Sequence, residues 1–179
     1  EINLGITPEI EIQNQEAFGG GEIHSLRDKR QTMKLDASNG DLLIKIYDLR
    51  REEKLRKGRA WLLAKFWFDD MKSFLDACPP GTDENAYYRQ VITYWDMVGA
   101  IVNHGMIDED LYFETNMEGT LTWFRVKPVV EEFRKIRNNP LYVANLEKLA
   151  ERHKAWLADR APECFETTMK AMQAGRPKK

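Results

Sequence analysis

Cysteine is scarce in this chain: Cys78 and Cys164 are the only two among 179 residues. Their separation fits neither a metal site nor a redox pair. Two thiols do not make a disulfide framework at this length, so both are expected to be buried thiols in a reducing compartment. Long apolar runs are missing too. No stretch reaches the ~18 residues that would mark a membrane span, and no signal peptide is visible. The chain begins at Glu1, so an upstream segment would have to carry any anchor. The expected location is therefore cytoplasmic, with membrane tethering if such a segment precedes Glu1. Charge of one sign is also lacking. Twenty-seven basic against 29 acidic residues leave a net charge of −2, which removes any general drive toward nucleic acid.

Signatures of common chemistry are absent as well. Gly19-Gly20-Gly21 is not followed by the Lys-Ser/Thr of a phosphate-cradling loop. Ser38 and Ser73 have no nucleophile-elbow context, and Cys164 has no base beside it in sequence. His104, Asp108, Asp110 and Glu114 resemble a metal cluster in composition. However, Gly105 breaks the helical spacing of the first two, and Tyr112 stands where a calcium loop needs its third ligand. No cofactor, catalytic residue or metal ligand is expected.

What is present is helical. Five Trp, eight Phe and six Tyr supply core anchors. Leu42, Ile46 and Leu49 repeat at helical spacing, and an aromatic-rich stretch from Ala60 to Leu75 follows. Cys78-Pro-Pro-Gly-Thr82 stops that stretch. A broad apolar helix then carries Tyr88, Val91, Trp95, Val98 and Val102, and its breadth places it at the centre of the fold. Gly105 ends it, and Asp108 caps a short acidic restart. Met117 to Thr120 is expected to be a connection. Later stripes run through Trp123, Val126, Val130 and Phe133, with Pro128 as a kink or restart, through Tyr142, Leu146, Leu149, His153 and Trp156, and through Phe165, Met169 and Met172. The expected fold is all-α: an irregular bundle of about six helices with an extended N-terminal arm. The arm spans residues 1–38, the helical domain 39–175 and a basic tail 176–179. Phe18-Gly-Gly-Gly-Glu22 is a flexible joint in the arm, and Glu9 to Gln13 alternates like a short strand.

Two charge clusters stand out. Arg50, Arg51, Lys54, Arg56, Lys57 and Arg59 form a basic run, while Asp108, Glu109, Asp110, Glu114 and Glu118 form an acidic one. Both read most simply as solvated helix faces. The basic run could also serve as a patch for anionic lipid or another anion. The acidic helix after Gly105 would repel phosphate, which argues against DNA binding. Asp96, Gly99 and Asn103 share one face of the central helix, and an acid on a helix expected to be buried needs a partner. Arg134 and Arg137 are the candidate partners. The same residues, together with His104, could line a polar ligand pocket. His153 lies on an apolar stripe and reads as a core-edge histidine.

The order Tyr94-Trp95-Asp96, Gly99, His104-Gly105-Met106-Ile107-Asp108, Leu111, Trp123, Pro128, Arg134 or Arg137, and Leu146 to Leu149 resembles the DUF4760 type of uncharacterised bacterial helical protein. The resemblance covers roughly residues 42 to 157. It implies a basic-aromatic opening helix, a central helix with one acid and a Gly-x-Ile-Asp restart. It also implies tethering through an N-terminal membrane helix in many members, and no established activity.

The leading functional expectation is a non-enzymatic helical interaction or regulatory domain able to form a homo-oligomer. It rests on the aromatic-rich second helix, which would leave apolar surface to cover, and on the Gly-rich arm. Two alternatives stand beside it. One is a small-molecule-binding or hydrolytic protein with a pocket near Asp96, Asn103 and His104. The other is a membrane-peripheral domain using Arg50 to Arg59.

Overall fold

A computed structural model describes residues 37–177. The expected arm lies almost wholly outside these residues, as do the last two residues of the tail. Among the described residues there are eight helices and no strand. In chain order they are α1 Ala37–Leu49, α2 Glu53–Lys65, α3 Met71–Ala77, α4 Asp83–Asn103, α5 Glu109–Thr115, α6 Glu118–Arg137, α7 Ala144–Arg160 and α8 Cys164–Ala174. The helical class stands, but the count rises from about six to eight.

Much of that difference arises in the stretch from Ala60 to Leu75. The chain leaves helix at Phe66 and resumes at Met71, where the Asp70 carboxylate accepts from the Ser73 amide at 2.6 Å. The break lets bulky neighbours converge that a continuous helix would spread around its circumference. Phe66 stacks on Tyr88 at 5.2 Å, while Phe68 and Phe74 meet it edge-on or tilted. Phe66 is wholly buried, and Trp61 and Phe68 pack against the core. The apolar surface expected of this segment is thus largely internal.

Helix α4 is the hub. It packs against α2 on one side and α7 on another, while α6 packs against α7 and α3, and α8 against α7. Its apolar arc buries Tyr88, Val91, Ile92, Trp95, Val98 and Val102. Thr82 caps its start. Its end turns on Gly105 at φ +71°, where the Met106 amide bonds back to the Ile101 carbonyl at 3.1 Å, and Asp108 then caps α5 through the Leu111 amide. This corner follows its sequence pattern closely.

Helix α6 departs from expectation at its start. It starts at Glu118, so Gly119 and Thr120 are helical rather than connecting. A Cβ on Gly119 would lie 2.9 Å from the Trp95 ring, so the missing side chain is what lets α6 approach α4. Pro128 lies inside a continuous helix rather than restarting one.

His153 is fully buried rather than at the core edge. Its ring stacks on Phe113 at 4.4 Å, and Nδ1 lies 2.8 Å from the Thr120 hydroxyl. Burial lowers its pKa from 6.5 to about 4, against the pull of a hydrogen bond to the Phe113 backbone. The folded protein therefore holds this imidazole neutral where the unfolded chain takes up a proton. The resulting stability is fully present above about pH 6.5 and falls as pH drops toward 4. Between pH 7.5 and 5.5 the loss should be about 1 kcal/mol. Urea unfolding at the two pH values measures it, and coincident midpoints would contradict this account.

Candidate functional site

The polar groups singled out in the sequence are used mainly by one helix to complete another. Helix α7 begins after Val143, which offers no capping side chain. Asp96, one helix away, supplies the acceptor: its Oδ1 accepts from the amides of Asn145 and Leu146, each at 2.9 Å. The carboxylate sits against the positive end of α7, where a negative group is favoured. Asn103 adds a bond from Nδ2 to the Asn145 carbonyl at 3.1 Å. Between them, a Cβ on Gly99 would fall 2.7 Å from the Asn145 carbonyl carbon and oxygen, so this face of α4 touches bare backbone. The shared face of Asp96, Gly99 and Asn103 is real, and the first turn of α7 is what it holds.

The expected guanidinium partners are engaged elsewhere. Arg134 donates from Nε to the Tyr142 carbonyl at 2.8 Å and pairs with Glu147 at 2.6 Å. Arg137 is exposed and lies over the Phe133 ring at 5.6 Å. His104 is the exposed residue closing α4. Asp96, Asn103 and His104 therefore do not gather with the two arginines around a single ligand position.

The basic run also divides. Arg50 and Arg59 turn inward and converge on Glu118 at the start of α6, with Arg50 at 2.8 Å from the carboxylate and Arg59 bound through both Nε and Nη2. Nearby, the Tyr94 hydroxyl donates to the Ile46 carbonyl at 2.7 Å. Burial pushes that phenol well above its ordinary pKa even though Arg50 and Arg59 pull it down. Lys57 pairs with Glu53 along α2, and Arg51, Lys54 and Arg56 stay exposed among Glu52 and Asp48. Two of the six cations thus belong to a half-buried clamp rather than to a surface patch.

The same pattern recurs. Glu132 of α6 accepts from the Met71 amide at 2.7 Å and so caps α3. Arg125 of α6 donates to the Leu62 and Leu63 carbonyls near the end of α2 and stacks on Trp67 at 3.7 Å. Burial lowers the Arg125 pKa. Among the described residues no group of three His, Cys, Asp or Glu side chains could hold a metal ion. No described helix is long and apolar enough to cross a membrane.

A groove of about 770 Å³ lies elsewhere, walled by α3, α4, the end of α6 and the connection to α7. Phe74, Tyr88, Phe133 and Tyr142 line it, with Met71, Leu75 and Ile136 alongside and Arg89, Gln90, Thr93 and Arg137 among its polar groups. Phe133 and Tyr142 stack at 4.3 Å, and Phe74 and Tyr88 meet at a tilt with their centroids 4.6 Å apart. The Tyr88 hydroxyl interacts with that of Tyr142, and burial raises its pKa well above the ordinary range. Ile136 is 68% exposed and Leu141, beside Tyr142, 77%. Of the five ligand-binding candidates read from the sequence, only Arg137 reaches this groove. Arg89, Gln90 and Thr93 were missed, although one trace of them was legible: a polar i, i+1, i+4 set stands beside the broad apolar arc of α4.

Fold and site define an all-helical domain with one large aromatic groove and polar residues that tie its helices together. The chain belongs to the family described as "Domain of unknown function (DUF4760)", whose profile matches residues 37–153. That span contains every groove residue and both partners of the Asp96 cap, and it stops inside α7, so α8 lies beyond it. No curated protein matches the chain, and no solved structure does.

Three substitutions test the joint between α4 and α7. Asp96→Asn should cost about 1 kcal/mol by removing the charge at the α7 terminus, and Asp96→Ala about 2 kcal/mol by removing the acceptor as well. Gly99→Ala should cost about 2 kcal/mol by forcing the backbones apart. Urea unfolding reads all three. Wild-type stability in Asp96→Ala would show that α7 needs no cap from α4.

Proposed function

We propose that the protein is a non-enzymatic binding domain of regulatory type whose ligand seats in the groove between α3, α4 and α6. The observation that carries this reading is the groove itself. Its volume lies in the range of pockets that hold small molecules, and its aromatic walls with a few polar groups at the edge match their usual make-up. Exposed Ile136 and Leu141 extend the apolar surface beyond its mouth. Further support comes from the engagement of the other candidates. Asp96 holds backbone amides, Arg50 and Arg59 hold Glu118, and His153 is buried against Thr120 and Phe113. These contacts tie helices together and leave the groove as the feature whose shape and chemistry face outward.

A neutral, environment-sensitive dye such as Nile red should bind with enhanced fluorescence. Ala86→Trp, which sets an indole into the groove from α4, should abolish that binding with little change in melting temperature. Enhancement that persists undiminished in a folded Ala86→Trp variant would place the dye elsewhere and refute the reading.

A further inference from the structure

We infer that the groove selects an amphipathic monocarboxylate, a fatty-acid-type anion whose hydrocarbon body lies on the aromatic walls and whose head meets Arg89 and Arg137. This rests on the groove reading and adds the chemistry of the ligand.

The argument is one of uncompensated charge. Arg89 comes from α4 and Arg137 from the last turn of α6, and both line the groove. No Asp or Glu lines it with them. Among the described residues neither guanidinium is in an ion pair, whereas Arg134, one turn before Arg137, is paired with Glu147. Arg50, Arg59, Arg152, Arg160 and Arg176 also have carboxylate partners. The fold thus supplies acids to most of the arginines that tie its elements together and none to the two at the groove.

The surroundings define the rest of the ligand. Arg137 lies over the Phe133 ring, and the charges of Arg89 and Asp96 act in opposite directions on the Tyr142 phenol, so both cations adjoin the aromatic wall, while the Asp96 carboxylate is committed to the α7 amides. A ligand bearing an anion at one end and apolar surface behind it satisfies both features at once. A cationic amphiphile would set like charges together, and a neutral one would leave both guanidinium groups without a partner. The hydroxyl of Thr93 is already bonded to the Arg89 and Gln90 carbonyls, so it adds little to head-group recognition. A planar carboxylate accepts paired hydrogen bonds from guanidinium, and such charge-assisted bonds are roughly twice as strong as neutral ones.

The experiment is displacement of Nile red from the full chain by three twelve-carbon amphiphiles below their micellar concentrations: dodecanoate, dodecanol and dodecyltrimethylammonium. Dodecanoate should displace the dye at roughly tenfold lower concentration than either of the others, as a net gain of one charge-assisted contact implies. Arg89→Gln combined with Arg137→Gln should erase that preference while leaving dye binding and melting temperature near wild type. Replacing both with Lys should restore part of it. Equal displacement by all three amphiphiles, or a preference that survives the Gln variant, would overturn the carboxylate assignment and leave the groove reading intact. Failure of the dye to bind, or binding indifferent to Ala86→Trp, would remove both.

Discussion

Helix α7 starts with a left-handed valine and no capping side chain, and the acceptor it needs is the Asp96 carboxylate on α4. The rest of the bundle is arranged around that bond. It fixes where α7 begins, and Gly99 next to it fixes how closely the two helices approach. With α7 seated on α4, Leu146, Leu149, Ala150 and His153 enter the core. His153 then meets Thr120 of α6 and Phe113 of α5. A single carboxylate in the middle of the hub helix thereby helps to set the positions of three other helices.

The device is repeated with other residue types. Glu132 caps α3, Arg125 donates to carbonyls near the end of α2, Asn39 accepts from the Asp108 amide, and Glu118 joins the α1–α2 turn and α2 to α6 through Arg50 and Arg59. Short helices are marginal by themselves. Here α3 and α5 span only seven residues each, and α3 draws a capping acceptor from α6. Many of the polar side chains on facing surfaces are consequently structural. Arg89 and Arg137 stay outside this scheme, as do the exposed Arg51, Lys54 and Arg56, but Arg89 and Arg137 are the two cations that line the groove.

The legible part of the fold was the part written in local chemistry. The Gly105 stop, the cap at Asp108 and the central role of α4 all follow from neighbours in sequence. The polar face of Asp96, Gly99 and Asn103 was legible as a face, but its partner was not. Backbone amides 49 and 50 residues away leave no residue-type signal, whereas arginines do, and so the arginines drew attention. Gly119 read as part of a connection because the pattern cannot show that Trp95 occupies the space beside it, and Pro128 left a kink and a restart both open because the pattern cannot show that a long packed helix continues through an internal proline. The groove was unreadable for a similar reason. Its walls come from α3, α4, α6 and a connection, and each contributes aromatic residues that look like ordinary core until the elements are set side by side.

One wall of the groove has a further consequence. Tyr142 stands in a connection bounded by Asn138 at φ +48° and Val143 at φ +57°, two left-handed residues that are not glycine. For a β-branched residue such as Val143 that conformation is rare and costs about 1–3 kcal/mol. It persists because the next residues are fastened to Asp96 and because Arg134 holds the Tyr142 carbonyl. The aromatic wall is therefore set by the fold before any ligand arrives. A molecule seated in the proposed site would have little chain to immobilise, so more of its contact energy would appear as affinity rather than be lost to ordering the protein.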